Sequence, residues 1–79
     1  GSAEVIEGEV SSSSELVGPT IEDLHLADGL RIGGILRNNE IIMPRGDTKI
    51  KEGDYVTIFS IPSKIHEVEQ LFRVSASYY

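Results

Sequence analysis

The chain has 79 residues, no cysteine, and a net charge of −6 from 13 acidic and 7 basic side chains. That length sets one small domain with modest buried surface, and the lack of cysteine excludes disulfides and thiolate metal sites. The acidic balance argues against nucleic acid, which wants a basic face, and no apolar run approaches the roughly 20 residues of a membrane span.

Gly1-Ser2 reads as a tag-cleavage scar, leaving residues 3–79 as the domain. With no signal segment, the chain is expected to be soluble and intracellular, or a soluble fragment of something larger. Hydrophobic residues make up 39%, enough for one core. Small chains without staples often complete their burial by oligomerising.

Residues 3–10, AEVIEGEV, alternate loosely and predict a strand. Ser11 to Ser14 follow as a loop. In GPTIEDLHL, Gly18 as N-cap and Pro19 at the first helical position predict a short helix over residues 18–25. Glu22 and Asp23 suit its positive end, and Asp28-Gly29 ends it. Residues 30–37, LRIGGILR, read as a strand, with Gly33-Gly34 marking a bulge or the close approach of another backbone. Asn38-Asn39 is hairpin chemistry, because Asn tolerates positive φ. Residues 40–43 return as a short strand, stopped by Pro44.

Residues 44–54 contain two Gly-Asp pairs, Gly46-Asp47 and Gly53-Asp54, around one apolar anchor, Ile50. Such pairs turn the chain or bind metal. The spacing of Asp47, Glu52 and Asp54 does not match a calcium loop, and Gly supplies the freedom that turns need, so turns are the preferred reading and no metal site is assigned. YVTIFSI, residues 55–61, is apolar on both faces. It predicts a central strand covered on both sides. Pro62-Ser63 then opens a helix with Ser63 as N-cap, and Ile65, Val68, Leu71 and Phe72 form its buried stripe. The tail RVSASYY adds an edge strand or stays loose. The fold class is therefore α+β, in the order β-α-β-β-β-α: a mostly antiparallel small sheet packed with two helices.

Chemistry is sparse. His25 and His66 have no partner histidine at ligand spacing, and no set of residues supplies an activated nucleophile, so no catalytic residue is assigned. Gly33-Gly34 lacks dinucleotide-binding spacing. The residues alone stop at an acidic, non-catalytic binding or assembly domain.

The segment VGPTIEDLHLADGLRIGGILRNNEIIMPRGDTKIKEGDYVTIF resembles the RCK C-terminal (TrkA-C) domain. The resemblance rests on Gly18 to Ile21, Leu24 to Leu26, Ile32 with Ile35 and Arg37, Pro44 to Asp54, and Val56 to Phe59. It covers residues 16–72, and VEQLFRVSASYY is similar to the end of such domains. Pro19 departs from the polar residue common there, harmlessly at the start of a helix.

The resemblance implies a cytoplasmic regulatory and dimerisation domain of a potassium-uptake transporter subunit, peripheral to the membrane. Its partners are a second copy and, through the full-length protein, a membrane-embedded transporter subunit. The other reading is a purely structural dimerisation domain of another RCK-bearing channel or antiporter, with no ligand. The NAD or ATP site of such proteins belongs to a Rossmann-type half absent from these residues, so no such cofactor is expected. Some relatives bind cyclic di-AMP between two C-terminal halves. The matching positions are Ile35, Arg37, Asn38, Asn39, Ile41, Ile42 and Pro44.

On that reading Arg37 pairs a phosphate bidentately and Gly33 leaves room for a base or ribose. The residues alone read Arg37 as a solvated strand end, whose removal leaves stability nearly unchanged. The dimer contact is expected on the hairpin, at Ile35, Ile41 and Ile42, with Ile42→Asp splitting it.

Overall fold

The computed structural model describes residues 2–72. Four strands form one antiparallel sheet: β1 (Glu4–Glu9), β2 (Leu30–Arg37), β3 (Glu40–Ile42) and β4 (Tyr55–Ser60), in the order β1-β4-β2-β3. One helix, α1 (Ile65–Phe72), packs on one side. The α+β class is as the sequence predicts. The reading of residues 73–79 as an edge strand lies outside the described residues.

Alternation explains the buried side. Val56, Ile58 and Ser60 of β4 point inward and are buried, as are Ile32 and Ile35 of β2. Ile32 and Ile35 are three apart, which strict alternation would send to opposite faces. The ladder slips between Ile32 and Gly34, so the Gly33-Gly34 bulge resets the phase and both isoleucines reach the core. Val68 and Phe72 of α1 complete it, with Leu16, Val10 and Ile50 from the loops. Phe72 sits against Gly8, where an added Cβ would lie 3.3 Å from the ring.

Two capping expectations need correction. The helix over residues 18–25 shrinks to a 3-10 turn at Glu22–Leu24. Its backbone is used elsewhere: Val17 bridges Ile50, Thr20 bridges Lys49, and the Ile21 N–H donates to the Thr48 carbonyl at 2.9 Å. Gly18 has φ +120°, outside any helix. Pairing with the loop over residues 46–50 wins over local helix propensity, which is a weak preference. Ser63 is not an N-cap either. It lies inside a 3-10 turn, Pro62–Lys64, whose preceding residue Ile61 offers no side-chain cap.

Ser14 is more than loop. It is 4% exposed, its hydroxyl donates to the Leu71 carbonyl at 2.6 Å, and it accepts from the Leu16 N–H at 3.1 Å. This ties the serine run to the last turn of α1 and satisfies an end carbonyl that lacks a helical partner.

The cover on β4 is one-sided. The sequence predicts two covered faces, but Tyr55 and Phe59 are 44% and 42% exposed. Because the predicted first helix is only a turn, no element among the described residues forms a second layer over that face.

Candidate functional site

The β2–β3 hairpin places most of the residues singled out by sequence. Its two-residue turn is made by Asn38 (φ 52°) and Asn39 (φ 65°), both exposed, as the pairing of Arg37 with Glu40 requires. Ile41 is 76% exposed on the outer face. Ile42 is half-buried and packs against the core. Ile35 is 1% exposed and belongs to the core itself. The expectation that Ile35, Ile41 and Ile42 are jointly free for a dimer contact is corrected: only Ile41 is open, together with Met43 beside it.

Arg37 is neither a solvated strand end nor a free guanidinium. Its Nε donates to Asp54 Oδ1 and its Nη2 to Asp54 Oδ2, both at 2.8 Å. Nη2 also donates to the Lys49 carbonyl at 3.0 Å. Asp54 is 1% exposed and accepts the Lys51 N–H at 2.9 Å. A parallel, two-pronged pair of this kind is strong and directional. The Arg37 hydrogen bonds hold the Asp54 carboxyl below its ordinary range; burial opposes them and the Lys51 N–H assists. The same hydrogen bonds raise the Arg37 pKa further.

The second Gly-Asp pair is thus a structural clamp. Gly53 has φ +89°, its N–H donates to the Val10 carbonyl, and the Asp54 carbonyl accepts the Val10 N–H, both at 2.8 Å. The clamp joins the hairpin, the loop and the end of β1. Among the described residues no group of three acidic, His or Cys side chains could hold a metal.

Pro44 lines a cleft of about 270 Å³ with Ile21, Leu26, Leu30, Arg31, Ile32, Arg45 and Gly46. Sequence reasoning missed Arg31 and Arg45. Neither guanidinium has a side-chain partner among the described residues. The only signal was their place at a strand start and beside Pro44. Gly33 does not leave room for a ligand group: an added Cβ would lie 2.4 Å from Phe59 Cε2, so the Phe59 ring already occupies that space.

Around Phe59 the outer face of the sheet is apolar. Register sets Val5 and Arg31 beside Phe59, and Glu9 and Leu36 beside Tyr55, with Ile41 beyond Leu36. Val5, Leu36, Tyr55, Phe59 and Ile41 are each at least 40% exposed. Exposed apolar side chains gathered on one face make it a candidate interaction surface.

A four-stranded antiparallel sheet with one helical layer, a clamped hairpin and an open apolar face defines a small α+β domain. A match to the TrkA-C domain family runs over residues 5–73, and the chain belongs to that family. It is 42% identical over 79 residues, all of this chain, to the Trk system potassium uptake protein TrkA of Azorhizobium caulinodans. It is 41% identical over 81 residues, covering 96% of this chain, to the protein of that description from Haemophilus influenzae. The chain spans 17% and 18% of the lengths of these relatives.

Among solved structures, it is similar to the RCK_C domain dimer of S. agalactiae BusR in complex with c-di-AMP. The TM-score is 0.73 and the identity 22%, over 89% of this chain and 96% of that one. The structure of S. agalactiae BusR with its busAB-promotor DNA matches with TM-score 0.76 and 21% identity, over 92% of this chain and 37% of that one. These two likenesses establish the fold.

Proposed function

We propose that this chain is the regulatory and pairing module of a potassium-uptake transporter subunit. It works within a longer protein at the cytoplasmic face of the membrane, against a membrane-embedded transporter subunit. The observation that carries this reading is the likeness over the whole chain to Trk potassium uptake proteins. The uncovered sheet face supports pairing, as does the dimeric RCK_C neighbour. No helix among the described residues is long and apolar enough to cross a membrane. The role is regulatory rather than enzymatic, in keeping with the family.

The module also senses a small anionic ligand of the cyclic di-AMP type, which two RCK neighbours hold. The residues offered to it are those of the hairpin and its exit, Ile35, Arg37, Asn38, Asn39, Ile41, Ile42 and Pro44. Of these Asn38, Asn39 and Ile41 are exposed, and Arg37, Ile42 and Pro44 are half-buried. Arg31 and Arg45, beside Pro44, add positive charge to an acidic chain. A second reading, pairing without any ligand, is favoured by the engagement of Arg37 with Asp54.

Titration calorimetry with cyclic di-AMP separates the two. Saturable heat together with a raised melting temperature supports sensing, because a ligand of the native state stabilises it. The absence of heat at high ligand concentration leaves the pairing module alone. For the broader role, removing this module from the longer protein is expected to abolish regulated potassium uptake. Normal uptake without it contradicts the proposal.

A further inference from the structure

We propose that residues 73–79, RVSASYY, complete the sheet by pairing antiparallel with the free edge of β1 in the same chain. This requires neither the pairing of two copies nor a ligand. In the order β1-β4-β2-β3, no strand among the described residues pairs with the outer side of β1. The Val10 N–H donates to the Asp54 carbonyl, on the β4 side. Backbone groups alternate in direction along an antiparallel strand, so those of Gly8 and Ile6 also face β4. The N–H and C=O groups of Val5, Glu7 and Glu9 therefore point away from it. A row of such groups is a template for one more strand.

Helix α1 delivers the chain to that edge. It ends at Phe72, whose ring lies against Gly8, close to the last residue of β1. The Leu71 carbonyl accepts from the Ser14 hydroxyl at 2.6 Å and from the Glu15 N–H at 3.1 Å, which fixes the exit. A strand that starts from this exit begins beside Glu9 and runs back toward Glu4, the antiparallel direction. Arg73 and Val74 span up to about 7 Å and carry the chain from the helix to the edge. Ser75 to Tyr79 then match Glu9 to Val5 residue for residue.

The side chains fit that register. Ala76 falls opposite Gly8 and Tyr78 opposite Ile6, on the inner side, where Ile6 packs against the core. The small Ala76 suits a place where the Phe72 ring already fills the space over Gly8. Ser75, Ser77 and Tyr79 fall opposite Glu9, Glu7 and Val5 on the outer side. Val5 is 58% exposed and pairs with Phe59 on its other flank, and an aromatic ring beside a β-branched residue is a favourable cross-strand pair. Arg73 brings a positive charge to a strand that carries Glu4, Glu7 and Glu9. Neither segment contains proline, so no ladder donor is missing.

Amide hydrogen exchange of the chain, read by NMR, tests the assignment. The N–H groups of Val5, Glu7 and Glu9 are expected to exchange roughly 100-fold slower than an unpaired amide, at a rate independent of chain concentration. Cross-strand Hα contacts are expected between Gly8 and Ala76 and between Ile6 and Tyr78, the closely spaced pairs of this register. Ser77→Pro removes a ladder donor. It is expected to bring the Val5 and Glu7 amides to the rate of exposed ones while Ile58 of β4 stays protected. Fast exchange at Val5, Glu7 and Glu9 in the unmodified chain overturns the proposal. Protection of Val5 and Glu7 that survives Ser77→Pro, or that fades on dilution, also overturns it, because a different strand or another copy then occupies the edge.

Discussion

The two faces of one sheet are held by different means. On the inner face, Val56, Ile58, Ile32 and Ile35 are closed over by α1 and the loops, and buried apolar surface supplies the stability. On the outer face, Val5, Leu36, Tyr55 and Phe59 are just as apolar and are each at least 40% exposed. Apolar character therefore does not tell a covered face from an open one. The difference lies in cover, since among the described residues no element forms a second layer over the outer face. At the edge of the inner face the Arg37–Asp54 clamp closes the core, and among the described residues no buried ion pair of that kind lies on the outer face.

The largest test of that contrast is Arg37→Ala. It leaves Asp54 buried without its partner, and breaking such a pair costs about 3–5 kcal/mol. A clear fall in the denaturant midpoint is expected, which reverses the sequence-based expectation of an unchanged melting temperature. A midpoint within error of the unmodified chain would mean that the clamp is dispensable.

The pair also sets an acid limit. Because Arg37 keeps the folded Asp54 pKa low, the unfolded chain binds a proton first as pH falls. Stability is complete above the ordinary carboxylate value of about 4 and is lost as pH falls through the lower folded value. In Asp54→Asn that part of the acid dependence is expected to vanish, as read by melting temperature against pH.

Next comes Gly33→Ala. Its Cβ would collide with the Phe59 ring, and such overpacking costs about 1–3 kcal/mol. A tolerated alanine, seen as an unchanged midpoint, would show that the ring moves freely. A matched pair sharpens the comparison of faces. Ile58→Val, inside, is expected to cost about 1 kcal/mol, and Leu36→Val, outside, less than about 0.5 kcal/mol in the monomer. Equal losses would erase the distinction. The smallest effect is none: a chelator is expected to leave the melting temperature unmoved, since the Gly-Asp pairs are read as turns and a clamp.

Much of this was legible in the sequence. Alternation found the strands, Asn38-Asn39 the hairpin, Gly33-Gly34 the bulge and the α1 stripe its buried face, because each depends on local geometry. The failures share one cause, which is distant pairing. Gly18-Pro19 with Glu22 and Asp23 is a fair helix start, yet the backbone there is claimed by Thr48, Lys49 and Ile50. Gly46-Asp47 and Gly53-Asp54 look alike in the sequence. Asp47 is exposed while Asp54 is buried against an arginine 17 residues earlier, and nothing local distinguishes them. At the candidate site the same lack hid the occupation of Arg37 and the free state of Arg31 and Arg45.

The central claim, that the outer sheet face is where two copies meet, is tested most directly by a dilution series of amide and methyl NMR spectra. The account predicts concentration-dependent shifts at Val5, Arg31, Leu36, Tyr55 and Phe59, with Asn38 and Asn39 at the hairpin tip constant. Shifts confined to the hairpin tip or to α1, with the outer face silent, would contradict it.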